Sequence, residues 1–285
     1  MFHPHGLPAE LSALDRTLVM GVINVTPDSF SDGGKYLQAT TAVEEGLLMM
    51  KYGADIIDIG GESTRPGAER ISVDEELSRV LPVIQELVSE GAVISIDTMR
   101  TEVARAAIDA GAAIVNDISG GKSDDEMLPY VANLDVPYIL MHWRGPSNVM
   151  QQLTDYTNVA CEVAREISDQ VDVAVAAGVN RNRIVVDPGI GFAKTPEQNW
   201  PILQDLEAID DLELPVLWGV SRKRFLGELL ADTNGELREV TLREDATTAL
   251  STYLALAGAW CVRVHDVRAS RDAIEVVDRL GRIND

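Results

Sequence analysis

Eight residues with chemistry to offer stand in or just beyond the end of an apolar run, although they are scattered from residue 24 to residue 265. Asp97, Asn116, Asp187 and Lys223 present donors and acceptors that a flat heterocycle with an amidine or guanidine edge would pair with, as arginine pairs with a carboxylate. Arg65, Arg263 and His265, with Asn24 as a neutral ligand, suit a phosphate or pyrophosphate. The one HxH pattern, His3-Pro4-His5, falls in the N-terminal tail, and no HExxH or CxxC pattern is present, so a metal here would be Mg²⁺ held chiefly by substrate phosphates, with Asn24 and water completing its shell. Each group also has an ordinary alternative. Asp97 and Asp187 suit helix caps or ion pairs, and Asp187-Pro188-Gly189 is a turn sequence. Lys223, within Ser221-Arg222-Lys223-Arg224, suits a solvated surface. His142 and His265 suit hydrogen-bonded core histidines, and His3 and His5 fall in a loose tail with no role.

The elements that would position these groups alternate regularly. Apolar runs of strand length occur at Leu18–Ile23, Ile56–Ile59, Val93–Ile96, Ala113–Val115, Tyr138–Met141, Ile184–Val186, Val216–Val220 and Cys261–Val264. Most are solid rather than alternating, as expected of parallel strands covered on both sides. Helical patterns lie between them, at Ala42–Tyr52, Val73–Glu90, Thr101–Ala110, Val159–Ala177, Lys223–Leu230, Glu244–Ala257 and Ser270–Arg282. Ser72 to Glu75 and Ser123 to Glu126 read as capping boxes, and Thr195-Pro196-Glu197-Gln198 as a cap with a reach-back glutamine. Gly53, Gly91, Gly111, Gly178 and Gly258 each end a helix just before a strand, where a left-handed residue makes the tight turn. Strand followed by helix eight times, with no composition break, predicts one α/β domain over residues 1–285, a single (β/α)8 TIM barrel with residues 1–17 as an N-terminal extension. A doubly wound sheet is the competing architecture, but residues 24–28 hold no GxGxxG fingerprint. The carboxyl ends of barrel strands share one face, which would bring the eight groups into one pocket.

Composition narrows the partners. A net charge of −22 opposes binding to nucleic acid or to an anionic membrane. It leaves room for a small anionic substrate, because carboxylates beyond a Debye length, about 8–10 Å, are screened from the pocket. No apolar run reaches membrane-span length, and the N-terminus lacks a secretory pattern. Cys161 and Cys261 have no ligand spacing and read as buried, unreactive thiols of a cytoplasmic protein.

Longer motifs sharpen this reading. Gly21-Val22-Ile23-Asn24-Val25-Thr26-Pro27-Asp28-Ser29-Phe30-Ser31-Asp32-Gly33-Gly34 and Gly60-Gly61-Glu62-Ser63-Thr64-Arg65-Pro66-Gly67-Ala68 resemble the two signatures of the dihydropteroate synthase family. Ser95-Ile96-Asp97-Thr98, Val115-Asn116-Asp117, Asp187-Pro188-Gly189-Ile190-Gly191-Phe192, Ser221-Arg222-Lys223 and Arg263-Val264-His265-Asp266 match in order. The resemblance implies a barrel enzyme of folate biosynthesis, usually a homodimer, that joins 6-hydroxymethyl-7,8-dihydropterin pyrophosphate to p-aminobenzoate. It implies that Asp97, Asn116, Asp187, Lys223 and Arg263 hold the pterin. Asn24, Arg65, Arg263 and His265 would bind pyrophosphate and its Mg²⁺. Thr64, Pro66, Phe192, Ser221, Lys223 and Phe30 would shape the p-aminobenzoate pocket. Arg65, Lys223, Arg263 and His265 would act in catalysis, and Asp32 would help order the closed loops. Ala193 departs from the pattern, standing where a glycine is common. A corrinoid-dependent methyltransferase barrel shares the pterin anchors but needs no pyrophosphate cluster, and a pterin-binding paralogue without turnover is the non-enzymatic alternative.

Overall fold

The computed structural model describes residues 3–26, 35–63 and 70–281. Its centre is a ring of parallel strands: β1 (Leu18–Asn24), β2 (Ile56–Gly60), β3 (Ile94–Asp97), β4 (Ile114–Asp117), β5 (Tyr138–Met141), β6 (Ile184–Asp187), β7 (Leu217–Trp218) and β8 (Cys261–Val264). The strand order is β6-β5-β4-β3-β2-β1-β8-β7, and a parallel bridge from Val186 to Val216 joins the ends. The sheet is therefore the expected closed barrel. The helices are α1 (Ala9–Ser12), α2 (Lys35–Lys51), α3 (Val73–Ser89), α4 (Thr101–Asp109), α5 (Met127–Ala132), α6 (Val159–Ala176), α7 (Asn199–Gln204), α8 (Glu207–Asp210), α9 (Arg224–Leu229), α10 (Glu244–Leu256) and α11 (Val267–Leu280).

Solid apolar strands bury both faces, and the two faces serve different cores. Outward residues such as Ile23, Ile57, Ile59, Ile96 and Val115 pack under the helices with Val80, Ile84 and Leu87 of α3. Inward residues Leu18, Met20, Ile56, Ile114, Ile139, Val185, Leu217 and Cys261 fill the amino-terminal half of the barrel. Leu7 and Leu11 close that end. The N-terminal segment is thus a plug and not the loose tail expected. His3 Nε2 lies 2.6 Å from the Leu14 carbonyl, the Trp260 indole donates to His3 Nδ1 at 3.2 Å, and the His5 amide donates to Asn182 O at 2.7 Å.

The glycines after α2, α3, α4, α6 and α10 have φ between +85° and +105°. At Gly91 the amide bonds to Val88 O and the next amide, of Ala92, bonds to Leu87 O, both at 3.0 Å. Two helix-end carbonyls are satisfied by a turn that only a left-handed residue allows.

Local expectations fail where polar residues mask the pattern. Helix α2 begins seven residues before Ala42, because Gln38, Thr40 and Thr41 carry no apolar period. Helix α11 begins three residues early, where the Asp266 side chain accepts from the Ala269 amide at 3.1 Å. Ser72 caps α3, accepting from the Glu75 amide at 3.2 Å. Ser123 caps nothing, since α5 starts at Met127. There Asp124 is the acceptor, taking the amides of Glu126 and Thr101. The Thr195 amide does donate to Gln198 Oε1 at 2.8 Å. Cys261 is buried as expected, but Cys161 is exposed on α6. No helix among the described residues is long and apolar enough to cross a membrane.

With 46 acidic against 24 basic residues, self-repulsion opposes the compact state. Raising KCl from about 0.1 M to about 1 M shortens the Debye length from about 10 Å to about 3 Å, so Tm is expected to rise. A scanning-calorimetry Tm that stays flat or falls over that range would contradict this.

Candidate active site

The upper half of the barrel interior is polar, and parallel register aligns its groups from β1 to β4. Asn24 of β1 pairs with Gly60 of β2, Gly60 with Asp97 of β3, and Asp97 with Asn116 of β4; further round, Met141 pairs with Asp187 of β6. The side chains of Asp97, Asn116 and Asp187 are all buried there.

From the facing strand β8, Arg263 reaches across the ring. Its Nε donates to Asp58 Oδ2 at 2.7 Å and its Nη2 to Asp97 Oδ2 at 2.9 Å. Asn116 Nδ2 donates to the same Asp58 oxygen at 3.2 Å. One guanidinium therefore serves two carboxylates. Burial pushes Asp97 up to about 7, against the pull of Arg263 and with the push of Asp58. Burial also opposes the charge on Arg263, but Asp58 and Asp97 hold its pKa above the ordinary value.

Asp187 is raised by burial, while its Oδ1 accepts the Gly189 amide at 2.8 Å. Lys223 is half-buried and not on an open surface. Burial lowers its pKa to about 8, against the attraction of Asp187, and Nζ sits 4.2 Å from the centre of the Phe192 ring. Gly191, with φ +81°, lies under this chain, and a Cβ there would stand 3.2 Å from Lys223 Cδ. Ser221 Oγ accepts the His265 amide at 3.2 Å and lies 2.8 Å from His265 Nδ1, so it orients the imidazole. Asp97, Asp187, Lys223, Phe192 and Arg263 are thus neighbours at the carboxyl ends of the strands, with Asn116 joined to them through Asp58 and with Ser221 and His265 paired to each other. Phe30, Asp32, Thr64, Arg65 and Pro66 lie outside the described residues. The ends of the second loop are tied by Glu62, which accepts the Ile71 amide at 3.2 Å and pairs with Arg100 at 2.8 Å.

Sequence reasoning missed two buried charges. Asp58 interrupts the run Ile56-Ile57-Asp58-Ile59, and a charge inside a wholly buried strand was the available signal. Lys194 gave no signal. Its Nζ is buried and bonds to the carbonyls of Pro188, Gly189 and Phe192 and to His142 Nδ1, all at 3.0–3.1 Å. Burial lowers its pKa to about 7. His142 Nε2 in turn lies 2.9 Å from Glu166 Oε2, and burial pushes the ring down to about 4, so it is a neutral packing histidine. This cluster clips the loop that carries Asp187 and Phe192. Ala193 in that loop has φ +47°, a left-handed conformation that favours glycine. Asp117, at the end of β4, serves its own turn: it accepts the amides of Ser119 and Gly121 and the hydroxyls of Ser119 and Tyr138.

Among the described residues no group of three or more His, Cys, Asp or Glu could hold a metal. A single neutral oxygen from Asn24 fits a cation that arrives on phosphates and fits no all-protein cage.

The model of the family described as "Pterin binding enzyme" matches residues 20–265. Dihydropteroate synthase of Mycobacterium leprae is 52% identical over 260 residues, covering 91% of this chain and 92% of that one. A structure of Xanthomonas albilineans dihydropteroate synthase with 4-aminobenzoic acid superposes with a TM-score of 0.85 at 42% identity, covering 93% of each chain. The same enzyme in complex with 7,8-dihydropteroate gives a TM-score of 0.82 at 40% identity, over 93% of this chain and 94% of that one. A barrel whose strand ends carry these groups in this order, with relatives this close over nearly its whole length, belongs to the dihydropteroate synthase family of pterin-binding enzymes.

Proposed function

We propose that this chain condenses 6-hydroxymethyl-7,8-dihydropterin pyrophosphate with p-aminobenzoate to give 7,8-dihydropteroate and pyrophosphate. The observation that carries the reading is the cluster of Asp97, Asn116, Asp187 and Lys223 at the strand ends, with Arg263 of β8 bonded to Asp97 of β3. A flat pterin edge fills the hydrogen-bonding capacity of the first set, and a leaving diphosphate needs the cation.

The chemistry follows from charge. As the carbon–oxygen bond to the diphosphate breaks, electrons leave with oxygen and the pterin methylene becomes cationic. Ionised Asp97 and Asp187 favour the positive ring. Arg263 and His265 stabilise the charge developing on the leaving group, and the motif assigns Arg65 the same work. Mg²⁺, when bound with Asn24 as its protein ligand, supplies further neutralisation of diphosphate oxygens. The p-aminobenzoate amine then attacks the cation and gives up its proton. Phe192, Ser221 and Lys223 border the side from which it would approach, with Thr64, Pro66 and Phe30 assigned there by motif. No protein nucleophile is required.

We assign a homodimer as the working form. The exposed Leu229, Val240 and Leu242 support that reading, since they gather at α9 and the turn before α10. Two free cysteines, one of them exposed, support a reducing compartment, the cytoplasm. The test of the reaction is dihydropteroate formation from the two substrates by the purified chain.

A further inference from the structure

Asp58 lies outside the strand-end groups, yet it is the hub of the polar ring. It is fully buried, its Oδ2 receives both Arg263 Nε and Asn116 Nδ2, and its Oδ1 is buried with no hydrogen-bond partner among the described residues. A half-satisfied carboxylate between Ile57 and Ile59 costs stability and adds nothing to packing. The arrangement of Arg263 suggests what it does instead. The guanidinium is a rigid plane, held by Nε on one side and by Nη2 on the other. A grip on Nε alone still fixes where both Nη groups point.

We propose that Asp58 is the positioning residue of Arg263, keeping hold of Nε while Nη2 leaves Asp97 for the departing diphosphate once the pterin has taken up the Asp97 carboxylate. This rests on the condensation reading above. Without Asp58, the guanidinium has two poor choices. It stays on Asp97 and competes with the pterin, or it swings toward solvent, to which 21% of its side chain is already exposed. With Asp58 in place the cation keeps a counter-charge throughout, and no buried carboxylate loses its cation before the substrate donors arrive.

Asp58→Asn tests this, because the amide keeps the volume and removes the charge. Turnover is expected to fall by about 10²-fold, with KM for p-aminobenzoate changed less than about threefold. Calorimetric affinity for inorganic pyrophosphate is expected to fall, by about tenfold. On an Arg263→Ala background the same substitution is expected to cost less than about threefold, since residues acting as a unit are not additive. The acid limb of kcat/KM is also expected to move to lower pH. Asp97 faces Asp58 from β2, Glu76 from α3, Asp117 from β4, Arg263 from β8 and Lys223 after β7, and loss of the Asp58 charge makes Asp97 easier to ionise. An equal loss in both backgrounds, with pyrophosphate affinity and the acid limb unmoved, would show a merely structural residue and overturn the proposal. Should D58N fail to fold, Arg263→Lys decides: one ammonium cannot hold Asp58 and the diphosphate together, and turnover is expected to drop by about 10²-fold. A wild-type rate for R263K would overturn the proposal. Pyrophosphate binding needs no turnover. A chain whose pyrophosphate affinity weakens in D58N but which makes no dihydropteroate would therefore sink the condensation reading and leave the Asp58 assignment standing.

Discussion

Arg263→Ala is expected to lower kcat by about 10²–10⁴-fold, about 3–5 kcal/mol of lost leaving-group stabilisation. Two costs coincide at this residue. The guanidinium is the cation that bridges Asp58 and Asp97, so its removal leaves buried carboxylates unpaired, at about 3–5 kcal/mol of folding stability. The kinetic effect is therefore read well below the variant's Tm, where the folded fraction is complete. Burst and single-turnover measurements with pterin diphosphate place the loss in the bond-breaking step. A variant that folds and retains a near-normal single-turnover rate would remove Arg263 from the chemistry.

Asp97→Asn is the second large effect, and it falls on binding. A charged acceptor contributes about 1.5–3 kcal/mol per hydrogen bond. Losing an acceptor that pairs with two donors is expected to weaken pterin affinity by about 10²–10⁴-fold. The pH dependence carries a sign that identifies the residue. Burial holds the Asp97 carboxyl at about 7, and pterin N–H groups favour its ionised form. Wild-type affinity for a pterin analogue is expected to climb with pH up to about 7 and then flatten, until Lys223, lowered to about 8 by burial, loses its proton. In D97N the rising limb disappears. The same raised pKa acts on folding with the opposite slope. Its contribution is full below about 4, where the unfolded carboxyl is also protonated, and is lost as pH rises through about 7. Unchanged pterin affinity in D97N, or a rising limb that survives the substitution, would remove Asp97 from the pocket.

Much of the barrel was legible because its strands are buried on both faces and read as solid apolar runs; β5 and β8 fall at the expected residues. Strand β7 is shorter than expected, since Gly219 ends it and Val216 contributes only the closing bridge. The polar ring was legible for the same reason as the strands: apart from Arg263, each group stands past the end of an apolar run, and the carboxyl ends of barrel strands share one face. Asp58 escaped because it sits inside a run rather than at its end. Lys194 escaped because Ala193-Lys194-Thr195 looks like a surface turn, and only folding wraps three carbonyls around the ammonium. The N-terminal plug escaped because Leu7 and Leu11 are too few to form a periodic pattern, and the core they join is spread from Leu18 to Cys261.

The most direct measurement follows both products at once, dihydropteroate and pyrophosphate, with purified chain, pterin diphosphate, p-aminobenzoate and Mg²⁺. The account predicts their formation in equal amounts, dependent on p-aminobenzoate and lost on chelation of the metal. Tight pterin binding with neither product formed, or pyrophosphate released at the same rate without p-aminobenzoate, would contradict it.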